Sequence, residues 1–219
     1  ENSVENDDKL PGKYYQFRSD VVMVIKAMGL PVEITIQQSG EVNEDLSLRQ
    51  FTFAFKGSGQ QLFMRGNIKG QILHLTTYSE NQHNESTIDI PQPVYHTELA
   101  HLLLARDGLS VGKTMEYPIF DPLTNLGKVS LQVLNKGQHL LPNGDTVTAF
   151  EVDIDLKGYH TSCWISDAGD MYKQTGELAG IKFTAIKETL KQSQDFSYIS
   201  PGIDPGDGKP IHDLIEASM

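Results

Sequence analysis

One cysteine in 219 residues leaves no partner for an internal disulfide, so cysteine usage selects neither a reducing nor an oxidising compartment. Cationic side chains are also scarce. Eighteen Lys and Arg stand against 29 Asp and Glu, and the formal net charge of −11 repels phosphate backbones, which argues against nucleic acid as a partner. Long apolar runs are missing: the longest, Val21 to Ile25, falls far short of the ~20 residues that a membrane-crossing helix needs, so no transmembrane segment is expected. The seven histidines lack the two- or four-residue spacing that would put two imidazoles on one face. His96 and His101, five apart, would diverge by about 140° on a helix, so no metal is implied. Gly57-Ser58-Gly59 precedes no helix and carries no P-loop lysine, so it is a turn rather than a phosphate cradle, and no cofactor is called for. Asp204 to Gly208, "DPGDG", lacks the alternating oxygen ligands and closing glutamate of a calcium loop. The sequon at Asn84-Glu85-Ser86 is a common chance match.

What is present is alternation. Apolar and polar residues alternate with period two through most of the chain, punctuated by Gly, Pro, Asn and Asp, as in strands with one buried face. "VVMVIKAMG" followed by "VEITIQQSGEV" across Leu30-Pro31 is a hairpin. "LRQFTFAF" puts Phe51, Phe53 and Phe55 on one face, and the chain turns at Gly57 to Gly59 and again near Lys69-Gly70. One segment changes period. In "VYHTELAHLLLARDG", Tyr95, Leu99, Leu102 and Leu103 recur at helical spacing and Gly108 stands at the C-terminal cap, which predicts a helix over Val94 to Arg106. Strand patterns return from "KTMEYPIF" to "IKFTAIKETL", with turn signals at Asn143-Gly144 and Ala168-Gly169.

The expected fold is therefore mainly β. It is a large curved antiparallel sheet, a half-barrel of about eleven strands, wrapped around one α-helix. This domain covers 1–190. From 191 to 219 the chain becomes Pro- and Gly-rich, a linker-like tail. A curled sheet that one helix does not fill leaves an apolar concave hollow, lined by Phe51, Phe53, Phe55, Leu99, Leu102 and Leu103, with room for a hydrophobic small molecule or lipid.

Cys163-Trp164, with His160 three residues earlier, is similar to the nucleophile stretch of papain-like and transglutaminase-like cysteine enzymes. The strand pattern opposes that role. Side chains alternate along Tyr159 to Ser166, so Tyr159, Thr161, Cys163 and Ile165 point one way while His160, Ser162 and Trp164 point the other. An activated thiol needs a helix N-terminus or a cationic partner to stabilise its thiolate. Cys163 is read as a small buried residue, and a Cys-dependent enzyme is the least favoured of three readings.

The pieces "VGKTMEYPIFDP", Asn143-Gly144-Asp145, "CWISDAGDM" and "KETL" resemble the β-rich domain that precedes the catalytic domain in bacterial transglutaminase-like proteins, and "DLIEAS" resembles the segment before that domain begins. The order of strands, helix and strands resembles the lipoprotein-localisation-factor fold, an unclosed β-barrel around a helix. These resemblances imply a non-catalytic accessory or binding domain, with a catalytic domain following Met219. They also imply the periplasm or envelope of a Gram-negative bacterium, the polar start at Glu1 reading as a chain whose signal peptide has been removed. The alternative is a stand-alone periplasmic carrier of an apolar ligand.

Overall fold

The computed structural model describes residues 14–27, 30–57, 59–79, 82–91, 93–141, 144–178 and 181–187. The polar start, the tail read over 191–219 and Asp204 to Gly208 lie outside them. Among the described residues the chain forms thirteen strands and one short α-helix, mainly β as the alternation requires.

The first six strands form an antiparallel meander in sequence order: β1 (Tyr14–Ala27), β2 (Leu30–Asn43), β3 (Leu48–Gly57), β4 (Gln60–Lys69), β5 (Ile72–Ser79) and β6 (Gln82–Asp89). Consecutive strands pair because each connection is short, and register follows the apolar face. One cross-strand row shows how that face closes. Phe17 pairs with Gly40, Gly40 with Phe51, Phe51 with Gly66 and Gly66 with Leu75, so rings alternate with glycines across the sheet. A Cβ on Gly66 would lie 2.0 Å from Cε1 of Phe51, and one on Gly40 would lie 2.7 Å from the Phe17 ring. Each phenyl ring therefore lies flat on the backbone of its neighbour, which only glycine permits.

The second sheet has the order β13-β12-β11-β10-β9-β8-β7. Its strands are β7 (Tyr95–His96), β8 (Thr114–Asp121), β9 (Asn125–Leu140), β10 (Thr146–Leu156), β11 (Tyr159–Ile165), β12 (Met171–Leu178) and β13 (Ile181–Ile186). Only β7 runs parallel to its neighbour; the remainder is antiparallel. Eleven of the thirteen strands are legible from alternation. The two that are not are β6, whose side chains are nearly all exposed, and the two-residue β7.

The helix is shorter than its sequence suggests. α1 spans Ala100–Asp107, about 12 Å long, and is preceded by a 3-10 turn over Thr97–Leu99. Val94 to His96 are extended instead. Leu48 donates its N–H to the Val94 carbonyl at 2.8 Å, Tyr95 and His96 pair with Ile119 and Phe120, and Nδ1 of His96 accepts from the Glu98 N–H at 3.3 Å to start the turn. Tyr95 is buried as a strand residue, so its apolar character does not report helical period. The buried stripe of α1 is Ala100, Leu103 and Leu104. At its C-terminal end Lys113 donates through Nζ to the carbonyls of Asp107 (2.6 Å) and Gly108 (2.8 Å), and Gly108 takes φ 81°. Oη of Tyr117 donates to Oδ2 of Asp107 at 2.7 Å, locking α1 onto β8.

Two core clusters result. One joins Ala100, Leu103 and Leu104 to Leu131, Val152 and Cys163 of the second sheet; the other joins Leu99 and Phe120 to Phe51, Phe53 and Leu73 of the first. The helical segment is thus packed from both sides, as a curved β-layer around a helix requires.

Candidate ligand-binding site

The β11–β12 hairpin turns at Ser166 to Asp170, where Oγ of Ser166 accepts from the Asp170 N–H at 2.9 Å and Gly169 takes φ 89°. This turn lands on the helix. A Cβ at Gly169 would stand 3.0 Å from Cδ2 of Leu102 and 3.1 Å from Cβ of Ala105. Beyond that contact the sheet and α1 diverge, and a hollow of about 470 Å³ opens between them. Leu102, Ala168, Met171 and Ala185 give it an apolar lining, with His101, Asp170 and Lys187 at its polar edge.

One of the two lysines that line this hollow, Lys187, is paired within it; the other is Lys173. Nζ of Lys187 meets Oδ1 of Asp170 at 2.7 Å, an interaction that holds the Asp170 carboxyl below the usual carboxylate range. Burial pushes the His101 imidazole below its ordinary value against the opposing pull of Asp170, so it is neutral at pH 7. The apolar part of this lining suits an apolar ligand, and the volume falls in the ~300–1,000 Å³ range of small-molecule sites.

The structure places the six expected lining residues in different settings. Phe51, Phe53 and Leu99 are sealed in the first-sheet cluster, with Phe55 and Leu102 packed against it; Leu103 is fully buried in the other. Leu102 borders the hollow beside α1, and Phe51 borders a smaller cup of about 250 Å³ on the first sheet, among Arg18, Glu41 and Arg65. Met171, Ala185 and Lys187 escape the sequence reading. Alternation marks β12 and β13 as strands, but the placement of their ends beside the helix depends on the Gly169 turn, for which Ala168-Gly169 is the one local signal.

Cys163 lies mid-strand, paired with Val152 and Gln174, at 0% exposure. Burial pushes its thiol up to about 12, opposed by a hydrogen bond with Thr161. His160 lies exposed on the opposite face, near Asp153 (3.8 Å) and Asp155 (3.9 Å). That environment suppresses thiolate formation.

A second buried polar group sits where the sheets meet. His96 is fully buried, its ring centroid 4.9 Å from Phe17 and 5.8 Å from Phe51. Its Nδ1 accepts from Glu98, so Nε2 carries the proton, and Nε2 is buried with no hydrogen-bond partner. Burial lowers its pKa to about 4, against the charge of Asp121. Glu98 accepts from Nε2 of Gln38 at 2.7 Å, and burial raises its pKa despite hydrogen bonds from Ser19 and Gln38. Oγ1 of Thr97 donates to Oδ2 of Asp121 at 3.0 Å. This network ties the 3-10 turn to β2 and β8. Among the described residues no group of three or more His, Cys, Asp or Glu is arranged to hold a metal, and no helix is long and apolar enough to cross a membrane.

No protein-family model matches the chain, and no curated protein matches it in sequence. Two solved structures are similar in fold. A β-barrel-like protein of the domain-of-unknown-function family DUF1849 from Brucella abortus superimposes with a TM-score of 0.52 at 10% identity, over 80% of this chain and 82% of that one. A DUF1089 family protein from Pseudomonas aeruginosa gives a TM-score of 0.42 at 10% identity, over 74% of this chain and 88% of that one. The first establishes a β-barrel-like fold for this chain.

Proposed function

We propose that this chain is a non-catalytic binding domain of a bacterial envelope protein, and that the hollow between α1 and β12–β13 holds its apolar ligand. The observation that carries the reading is the position of Leu102. Leu103 and Leu104 of the same helix are sealed in the core, whereas Leu102 borders a hollow of about 470 Å³ with apolar walls and the Lys187–Asp170 ion pair at its edge. The cysteine is not part of this hollow: it is buried elsewhere with a raised pKa. Native mass spectrometry of gently purified protein tests the reading: a bound hydrophobic species is expected, and Leu102→Asp should release it. A clean apo mass, together with failure to take up an added apolar dye, overturns it.

A second reading is the accessory domain of a periplasmic transglutaminase-like protein, favoured by "CWISDAGDM", which forms the β11–β12 hairpin that lands on α1. In that case the ligand site serves a catalytic domain following Met219, and the neighbouring Cys, His and Asp would be encoded downstream. Reading the gene past Met219 separates the two: an immediate stop codon removes the accessory role and leaves a stand-alone carrier. The location we propose, the periplasm of a Gram-negative bacterium, rests on likeness to the lipoprotein-localisation-factor fold; cell fractionation recovering the protein in the cytoplasm would refute it.

A further inference from the structure

A second hollow, of about 460 Å³, adjoins the first and is bordered by His139, Leu140, Trp164, Tyr172, Lys173 and Ile186, the last three of which border both. Lys173 and Trp164 are register partners on β12 and β11, so both side chains leave the sheet on its outer face. Three observations set this place apart. First, apolar groups at its border are left in water: Leu140 is 76% exposed and Ile186 40% exposed. Second, Nζ of Lys173 stands 4.7 Å from the centroid of the Trp164 ring and has no carboxylate partner among the described residues, although the chain carries eleven more acidic than basic groups. The neighbouring Lys136 and Lys187 are both paired, with Asp167 and Asp170. Third, Nε1 of Trp164 and Nε2 of His139 are buried without hydrogen-bond partners, the two rings meeting edge-on at 5.5 Å.

An unpaired cation held on an aromatic face beside exposed aliphatic side chains is complementary to a ligand with an anionic head and an apolar body. We infer that this outer hollow is a binding site for an unbranched medium-chain carboxylate, its head paired with Lys173 and its chain lying over Trp164, Leu140 and Ile186. The two hollows share Tyr172, Lys173 and Ile186 at their borders and differ in the rest of their lining: Trp164, His139 and Leu140 here, Leu102, Met171 and Ala185 beside α1.

Trp164 is the chain's single tryptophan, so intrinsic indole fluorescence reports on this hollow. The full chain is titrated with decanoate below its micelle concentration, and in parallel with decanol and decyltrimethylammonium. A saturable change in Trp164 emission with decanoate, and a markedly weaker response to the neutral and cationic analogues, is expected. Lys173→Met should weaken decanoate binding about tenfold or more, the order expected for loss of a charge-assisted contact. Lys173→Arg should retain it, and Leu140→Asn should weaken all three ligands. Absence of a saturable decanoate signal, equal response to decanol, or unchanged affinity in Lys173→Met would each overturn the assignment. Loss of apolar dye from the α1 hollow in Leu102→Asp, with decanoate binding intact, is the expected sign that the two sites are separate.

Discussion

Acidification should unfold this protein partly through one imidazole. His96 is fully buried with a folded pKa of about 4, against 6.5 for the exposed group. Its folded value is depressed, so the unfolded chain takes up a proton as pH falls below 6.5 while the folded chain does not. Stability is therefore lost on acidification from pH 6.5 toward 4, where the folded state also begins to bind the proton and the loss from this group levels off. Linkage sets the size: about 2 kcal/mol between pH 7 and pH 5, and about 3 kcal/mol in all. Glu98, next but one, works the other way. Its raised pKa makes the folded state the better proton acceptor, so its cost to stability diminishes as pH falls toward its unfolded value of 4.5. The two are separated by working in a Glu98→Gln background, which keeps the oxygen that accepts from Gln38. In that background His96→Phe keeps an aromatic ring against Phe17 and Phe51 and removes the titration. Urea unfolding of both proteins at half-unit steps from pH 7.5 to 4.5 should give free energies whose difference narrows by about 2 kcal/mol in favour of His96→Phe by pH 5. Parallel curves over that range would refute the claim that His96 is held neutral by burial.

Three further outcomes are expected. Gly66→Ala puts a methyl group within 2.0 Å of Cε1 of Phe51 and should destabilise by about 1–3 kcal/mol in denaturant unfolding, with partial rescue by Phe51→Leu, a non-additivity that distant sites would not show. Leu103→Ala should cost about 2–5 kcal/mol because Leu103 is fully buried between helix and sheet, whereas Leu102→Ala should cost about 1 kcal/mol and act mainly on ligand uptake in the α1 hollow. Cys163 should resist iodoacetamide in the folded protein at pH 8 and react stoichiometrically in urea; ready alkylation of the native state would contradict both its burial and its raised pKa.

Local chemistry determined much of this fold. Period-two alternation marked eleven strands because each buries one face whatever lies on that face, and Gly169 and Gly108 marked their turn and cap because the backbone there takes positive φ. Burial of Cys163 was legible for the same reason: its parity with Thr161 and Ile165 assigns it a face. Tertiary structure decided what periodicity does not encode. β6 is almost wholly exposed and exists through its register with β5, so no apolar pattern announces it. Val94 to His96 read as helix because their apolar residues fall in helical phase, yet they are buried by pairing with β8 and by the Leu48 bond to Val94. The division of the helix leucines, Leu103 into the core and Leu102 toward a hollow, depends on where the Gly169 turn docks, a contact between segments more than sixty residues apart. Burial is a property of the whole assembled chain, and a local pattern can say that a face is apolar without saying what will cover it.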